Sequence, residues 1–132
     1  ACAKLGLECV DGTVSNSNEI QQVTQSLCGK VDAIYAPTDN MIAAGMATVA
    51  QVAIENKIPV IVGESGMCTA GGLATYGINY YELGKQTAKM AVEILKDGKK
   101  PADMPIQYLE KCDLSVNEDT AKAIGITIPE NL

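Results

Sequence analysis

Short apolar runs and amphipathic stretches alternate along the chain, which predicts strands and helices in turn. The clearest strand is at residues 59–63 (PVIVG), a continuously apolar run typical of a parallel strand that is covered on both faces. Polar side chains that cap helices stand at residues 16–18, 38–40 and 79, each followed by apolar residues at helical spacing. Further strands are predicted at residues 8–14, 32–36, 73–78, 106–109 and 114–116, and a last helix at 117–124. This alternation predicts right-handed crossovers and a Rossmann-like, doubly wound α/β fold with a parallel sheet.

Two stretches differ from this regular alternation. Residues 1–7 are predicted to be the end of a helix that stops at Gly6, so we expect the first strand of the sheet to lie outside this sequence. Residues 99–116 begin as a polar, proline-containing stretch and are predicted to be a linker near a hinge. A length of 132 residues otherwise fits a single α/β lobe over residues 1–132.

The composition excludes several classes of function. Ten basic residues, all Lys, oppose sixteen acidic ones for a net charge of −6, so nucleic-acid binding is not expected. The chain has no His, which removes Ser-His-Asp and Cys-His catalysis and the usual metal sites. The five Cys residues form no C-x-x-C pair and are interpreted as buried apolar thiols. We therefore expect neither an enzyme nor a metal protein.

The glycine-rich segment at residues 63–72 (GESGMCTAGG) is predicted to be a loop. A phosphate-binding P-loop would end in Gly-Lys-Ser/Thr, but Gly72 and Leu73 occupy those places. The dinucleotide fingerprint G-x-G-x-x-G is also absent from the sequence. No nucleotide cofactor is expected.

Small polar residues follow the predicted strands at the ends where open α/β sheets bind ligands. The candidate ligand-binding residues are Thr38, Asp39, Asn40, Glu64, Ser65, Gly66 and Asn79. Helix capping alone would also explain Thr38, Asp39 and Asn79. Glu64 differs from these, because no helix is predicted after it.

Two of the candidates, Asp39 and Glu64, are carboxylates that end neighbouring strands. Such a pair can be an acid–base pair, a metal site or a clamp for a cation. Because the chain has no Arg or His and no third carboxylate nearby, a clamp for an ammonium group is the simplest interpretation. Helix N-termini next to it can receive a carboxylate, so an α-amino acid fits both ends of the site.

Long stretches of the sequence also resemble a known family. Residues 14–40 (VSNSNEIQQVTQSLCGKVDAIYAPTDN), 58–66 (IPVIVGESG), 71–95 (GGLATYGINYYELGKQTAKMAVEIL) and 114–132 are similar to ABC-transporter substrate-binding proteins of the tryptophan/tyrosine type. The motifs PTDN and LATYG-x-x-YYELG are its most specific parts. The resemblance implies two lobes of a class I periplasmic-binding-protein fold, hinged around one ligand, with this chain as the C-terminal lobe. It also implies that the segments at residues 38–40 and 64–66 are this lobe's share of the ligand site.

The function that the resemblance implies is solute binding for an ABC importer, with no cofactor. The partners would be an amino-acid-like, aromatic ligand, the N-terminal lobe and a membrane permease. The location would be extracytoplasmic, as a cell-surface lipoprotein or in the periplasm. The alternatives are a ligand-sensing lobe of a transcription regulator with the same fold and, less favoured because the chain lacks a nucleophile elbow, an enzyme. The isolated lobe is expected to bind ligand weakly and to self-associate through an uncovered strand edge.

Overall fold

The computed structural model describes residues 2–132 and contains one four-stranded sheet. Its strands, in spatial order, are β1 (Ile34–Ala36), β2 (Val60–Val62), β3 (Ala74–Gly77) and β4 (Asp113–Val116). β1, β2 and β3 are parallel, whereas β4 runs antiparallel to β3. The predicted α/β fold is confirmed, and the prediction of an all-parallel sheet is wrong at this one edge.

The direction of β4 follows from the path of the chain before it. A long helix over residues 80–95 starts just after the carboxyl end of β3, and residues 96–112 bring the chain back to that end. Asp113, the first residue of β4, therefore lies opposite Gly77, the last residue of β3. The predicted linker, residues 99–116, thus includes β4 at its end.

Helices fill the connections between the strands and also precede the first strand and follow the last one. The α-helices are α1 (Ile20–Leu27), α2 (Asn40–Ala44), α3 (Met46–Glu55), α4 (Ser65–Thr69), α5 (Tyr80–Leu95) and α6 (Glu118–Ile124). Short 3-10 turns lie at Cys2–Leu5, Ser17–Glu19 and Pro101–Asp103. Within residues 2–132, no helix has both the length and the apolar character needed to cross a membrane.

The core lies on the side of the sheet where β1 and β2 face α1 and α3. Val60 and Val62 are each 2 % exposed and point into this core, whereas Ile61 between them is 39 % exposed. Met46 and Met67 are fully buried beside them, and burial of each such side chain contributes about 1.5–3 kcal/mol. The strand predicted to be covered on both faces is therefore covered on one.

Three local predictions are corrected by the structure. Residues 8–14 and 106–109 form no strand, because neither run finds a partner strand among the described residues. The glycine-rich loop contains α4. The helix predicted after residues 38–40 is divided at Gly45, where a Cβ atom would collide with the side chain of Ile20.

The cysteines also depart from their interpretation as buried thiols. Cys68 is buried, whereas Cys2, Cys28 and Cys112 are half-buried and Cys9 is exposed. A small apolar residue is expected inside on average, but its position in the fold decides its exposure.

Candidate functional site

Two glycines allow the carboxyl ends of β1, β2 and β3 to approach one another closely at one edge of the sheet. A Cβ atom on Gly63 would lie 2.6 Å from the backbone nitrogen of Thr38, closer than real Cβ contacts allow. A Cβ atom on Gly77 would lie 3.1 Å from the carbonyl oxygen of Gly63 and 3.5 Å from Cα of Glu64. The segments that follow the three strands therefore emerge side by side, as the parallel topology predicts.

Asp39 follows β1 and caps α2 with one of its two carboxylate oxygens. Oδ1 accepts hydrogen bonds from the backbone N–H groups of Met41 (2.8 Å) and Ile42 (3.0 Å). Within the described part of the chain, Oδ2 accepts no hydrogen bond, and the residue is exposed. The cap and a ligand contact can therefore coexist on this side chain.

Glu64 follows β2 and caps α4 with both oxygens. Oε2 accepts from the N–H of Gly66 at 2.7 Å, and Oε1 accepts from the N–H of Met67 at 2.6 Å. The expectation that Glu64 has no helix to cap is wrong. Glu is rarely an N-cap, so a rule based on Ser, Thr, Asp and Asn passes over this helix start.

Asn79 follows β3 and caps α5, as predicted. Its Oδ1 accepts from the N–H groups of Tyr81 (3.0 Å) and Glu82 (3.2 Å), and its Nδ2 donates to Oδ2 of Asp113 at 2.8 Å. Asp113 adds a carboxylate at the carboxyl end of β3 that sequence reasoning missed. Only the antiparallel return of β4 brings it there.

The remaining candidates occupy the same edge in supporting positions. Thr38 packs against Gly63, and Asn40 is the exposed first residue of α2. Ser65 begins α4 and lines an open cleft of about 420 Å³ that it shares with residues 115–119. A second cleft, of about 500 Å³, lies along α1 from Asn18 to Ser26. Neither of these two clefts reaches Asp39.

The charge at this edge is negative. Within residues 2–132, no group of three or more Cys, Asp and Glu side chains is arranged to hold a metal ion. Burial and then the negative charge of Glu64 raise the pKa of the Cys68 thiol, on the buried side of α4, so this thiol stays protonated and neutral. The edge therefore offers carboxylate oxygens to an organic cation, whereas the caps already accept the hydrogen bonds of the first helix N–H groups.

Capped helix starts at the carboxyl edge of parallel strands are typical of α/β lobes, and this edge is where open α/β sheets bind ligands. The family model described as "ABC transporter substrate binding protein" matches residues 1–132, and the chain belongs to that family. The resemblance found in the sequence is thus confirmed.

Individual relatives agree with the family assignment. The chain is 43 % identical over 123 residues to the tyrosine-binding protein of Clostridioides difficile (strain R20291), covering 93 % of this chain and 35 % of that protein. A crystal structure of a conserved domain protein from Vibrio cholerae superposes with a TM-score of 0.90 at 35 % identity. A Streptococcus pneumoniae domain in complex with L-Trp superposes with a TM-score of 0.88 at 38 % identity.

The chain spans less than half the length of these relatives. It covers 44 % of the Vibrio chain and 43 % of the Streptococcus chain, and each match takes in 98 % of the present sequence. These shares are consistent with one lobe of a periplasmic-binding-protein fold.

Proposed function

We propose that this chain is the second lobe of a two-lobe substrate-binding protein for an ABC importer, and that its ligand is an aromatic amino acid. Family membership supports the class, and the tyrosine-binding relative and the neighbour with bound L-Trp support the ligand. The observation that carries the proposal is the placement of Asp39 and Glu64 at one packed edge.

Asp39 is the residue that binds the ammonium group of the ligand. Its Oδ2 is free of the helix cap, and a charge-assisted hydrogen bond to it contributes about 1.5–3 kcal/mol. Glu64 adds negative charge beside it. The N-terminus of α5, the 16-residue helix that Asn79 caps, favours the ligand carboxylate. Thr38, Asn40, Ser65 and Gly66 supply the surrounding polar groups.

The other lobe supplies the remaining contacts and closes over the ligand, with residues 99–116 near the hinge. A ligand bound with micromolar affinity is worth about 8 kcal/mol. If the two lobes share the contacts evenly, this lobe alone retains about half of that and binds in the millimolar range.

We further propose that the protein works with a membrane permease and is extracytoplasmic, as a cell-surface lipoprotein or in the periplasm. In this role it binds its ligand without converting it and uses no cofactor. Membership in a family of substrate-binding proteins supports these parts.

The test is Asp39→Asn in the two-lobe protein that contains this lobe. Asn keeps the capping oxygen, so the melting temperature should change little, whereas affinity for L-tyrosine and L-tryptophan should fall about tenfold or more. The matched control is Asp32→Asn, which removes the same charge at the opposite end of β1. Calorimetry that shows unchanged affinity and a large fall in melting temperature would return Asp39 to a capping role alone.

A further inference from the structure

Two thiols near the start of the chain are in direct contact. The Sγ atom of Cys9 donates a hydrogen bond to Sγ of Cys2 at 3.4 Å, although the residues are seven positions apart. The backbone holds them there by folding back on itself at Gly6, whose φ of +68° is readily available to glycine. The N–H of Leu7 then donates to the carbonyl oxygen of Cys2 at 3.0 Å, which fixes the fold-back.

The surroundings of this pair differ from those of the other thiols. Cys9 is exposed and Cys2 is half-buried, so reagents reach the pair from solvent. Cys28 instead donates to the carbonyl oxygen of Thr24 at 3.3 Å, and Cys68 is buried among carbonyl groups. Among the described residues, the pair of Cys2 and Cys9 is the one in which two sulfurs share a hydrogen bond.

We propose that Cys2 and Cys9 form a reversible intramolecular disulfide that ties the turn at Cys2–Leu5 to the segment that follows it. The sulfurs must approach from 3.4 Å to about 2.05 Å, and the exposed side chain of Cys9 has room to rotate toward Cys2. The bond would secure residues 8–14, which gain no strand partner among the described residues. Secreted and cell-surface proteins form such bonds, whereas cytosolic proteins rarely keep them.

The oxidant is a small-molecule disulfide, and the reaction proceeds by two exchange steps. A thiolate of the pair attacks one sulfur of the reagent, forms a mixed disulfide and releases one reagent thiolate. The second thiolate attacks the protein sulfur of the mixed disulfide, forms the bond between Cys2 and Cys9, and releases the second reagent thiolate. The pair loses two electrons, which reduce the reagent disulfide to two thiols, and the two protons finish on those thiols.

The pKa of the Cys9 thiol determines which buffer pH suits the experiment. Its hydrogen bond with Cys2 raises the pKa of the Cys9 thiol, and the negative charge of Asp11 acts in the same direction. Since the thiolate is the attacking species, a mildly alkaline buffer favours the exchange.

The experiment treats the reduced chain with oxidised glutathione and maps the product by mass spectrometry. Trypsin cuts after Lys4, and a Glu-specific protease cuts after Glu8 and Glu19, so Cys2 and Cys9 fall in the separate fragments 1–4 and 9–19. We expect these two fragments to be joined, with a loss of two hydrogens and of two of the five free thiols. Mixed glutathione adducts on Cys2 and Cys9, with no joined fragments, would overturn the proposal.

Two variants identify the pairing. Cys28→Ser should still give the joined fragments, because Cys28 donates to Thr24 in α1 and takes no part in the contact between Cys2 and Cys9. Cys9→Ser should leave Cys2 as a stable mixed disulfide with glutathione. Crosslinks from Cys2 to Cys28 at a yield equal to that of the pair would show that the 3.4 Å contact does not direct the bond, which would also overturn the proposal.

Discussion

Asn79 donates a hydrogen bond from Nδ2 to the Oδ2 atom of Asp113 over 2.8 Å, and this bond joins the start of α5 to the start of β4. The same side chain caps α5 through its Oδ1 atom. Its donor and its acceptor are therefore both used within the lobe. Of the three strand-end caps, Asn79 is the one whose side chain also donates a hydrogen bond to a neighbouring strand.

Asn79→Asp should destabilise the lobe by about 0.5–1.5 kcal/mol, because it keeps the cap but replaces a donor with a second negative charge beside Asp113. The double variant Asn79→Asp with Asp113→Asn restores one donor and one carboxylate in exchanged positions, so it should recover most of the loss. Urea unfolding of the four proteins measures the coupling between the two positions. If the stability change of the double variant equals the sum of the changes in the two single variants, the hydrogen bond between Asn79 and Asp113 contributes no stability.

Gly63→Ala should destabilise the lobe by about 1–3 kcal/mol, because the new methyl group would overlap Thr38 at the packed edge. The control is Gly84→Ala on α5, where a Cβ atom meets nothing within 4 Å. That control should stabilise the helix by about 0.5–1 kcal/mol. Thermal unfolding compares the two, and a Gly63→Ala protein as stable as the unchanged chain would contradict the close packing of β1 against β2.

The sequence predicts the parallel part of this fold well because its signals are local. The strand predicted at residues 59–63 is observed at Val60–Val62, and the strand predicted at 73–78 is observed at Ala74–Gly77. The edge that carries Asp39 and Glu64 then follows from topology alone. Strand pairing depends on distant residues, and a local pattern cannot report it. The run at residues 8–14 is therefore predicted as a strand, although it pairs with no other strand in the described chain.

In the candidate site, too, the local signals are predicted and the contacts between distant residues are not. Asp39 and Asn79 are predicted as caps because Asp and Asn are common there, whereas the cap at Glu64 goes unrecognised. Asp113 cannot be predicted as a neighbour of Asn79, because their contact depends on the return of residues 96–112 to the carboxyl edge. Local chemistry identifies individual side chains, but tertiary packing decides which of them meet.

Cys68→Ser should make the stability of the lobe less sensitive to alkaline pH. Burial, and second the charge of Glu64, raise the pKa of the Cys68 thiol above its ordinary value of 9.0. The folded state therefore holds this proton more tightly than the unfolded state. This contribution to stability is complete below pH 9.0 and is lost as the pH rises through the higher folded-state pKa.

The test measures the unfolding free energy of each protein near pH 8 and near pH 10 and compares the difference between the two values. The unchanged chain should lose more stability over that interval than Cys68→Ser, whose hydroxyl does not titrate. Cys28→Ser is the control for general thiol loss, because that thiol is half-buried. An equal loss in the unchanged chain and in Cys68→Ser would show that the buried thiol does not titrate differently on folding.

One face of the sheet exposes large apolar side chains from neighbouring strands. Tyr35 pairs in register with Ile61, Ile61 pairs with Ala74, and Tyr76, two residues further along β3, pairs with Leu114. Tyr35 and Tyr76 are 67 % and 74 % exposed, and Ile61 and Leu114 are 39 % and 44 % exposed. Contiguous apolar surface of this kind drives association.

The 132-residue chain should therefore self-associate as its concentration rises, which light scattering detects. The double variant Tyr76→Thr with Leu114→Thr removes two of the apolar side chains and keeps a cross-strand pair that suits β structure, so it should shift the protein toward the monomer. Leu132→Thr, which changes an exposed apolar residue outside the sheet, should leave association unchanged. A chain that remains monomeric at high concentration, or association that the double variant does not weaken, would exclude this face as the contact surface.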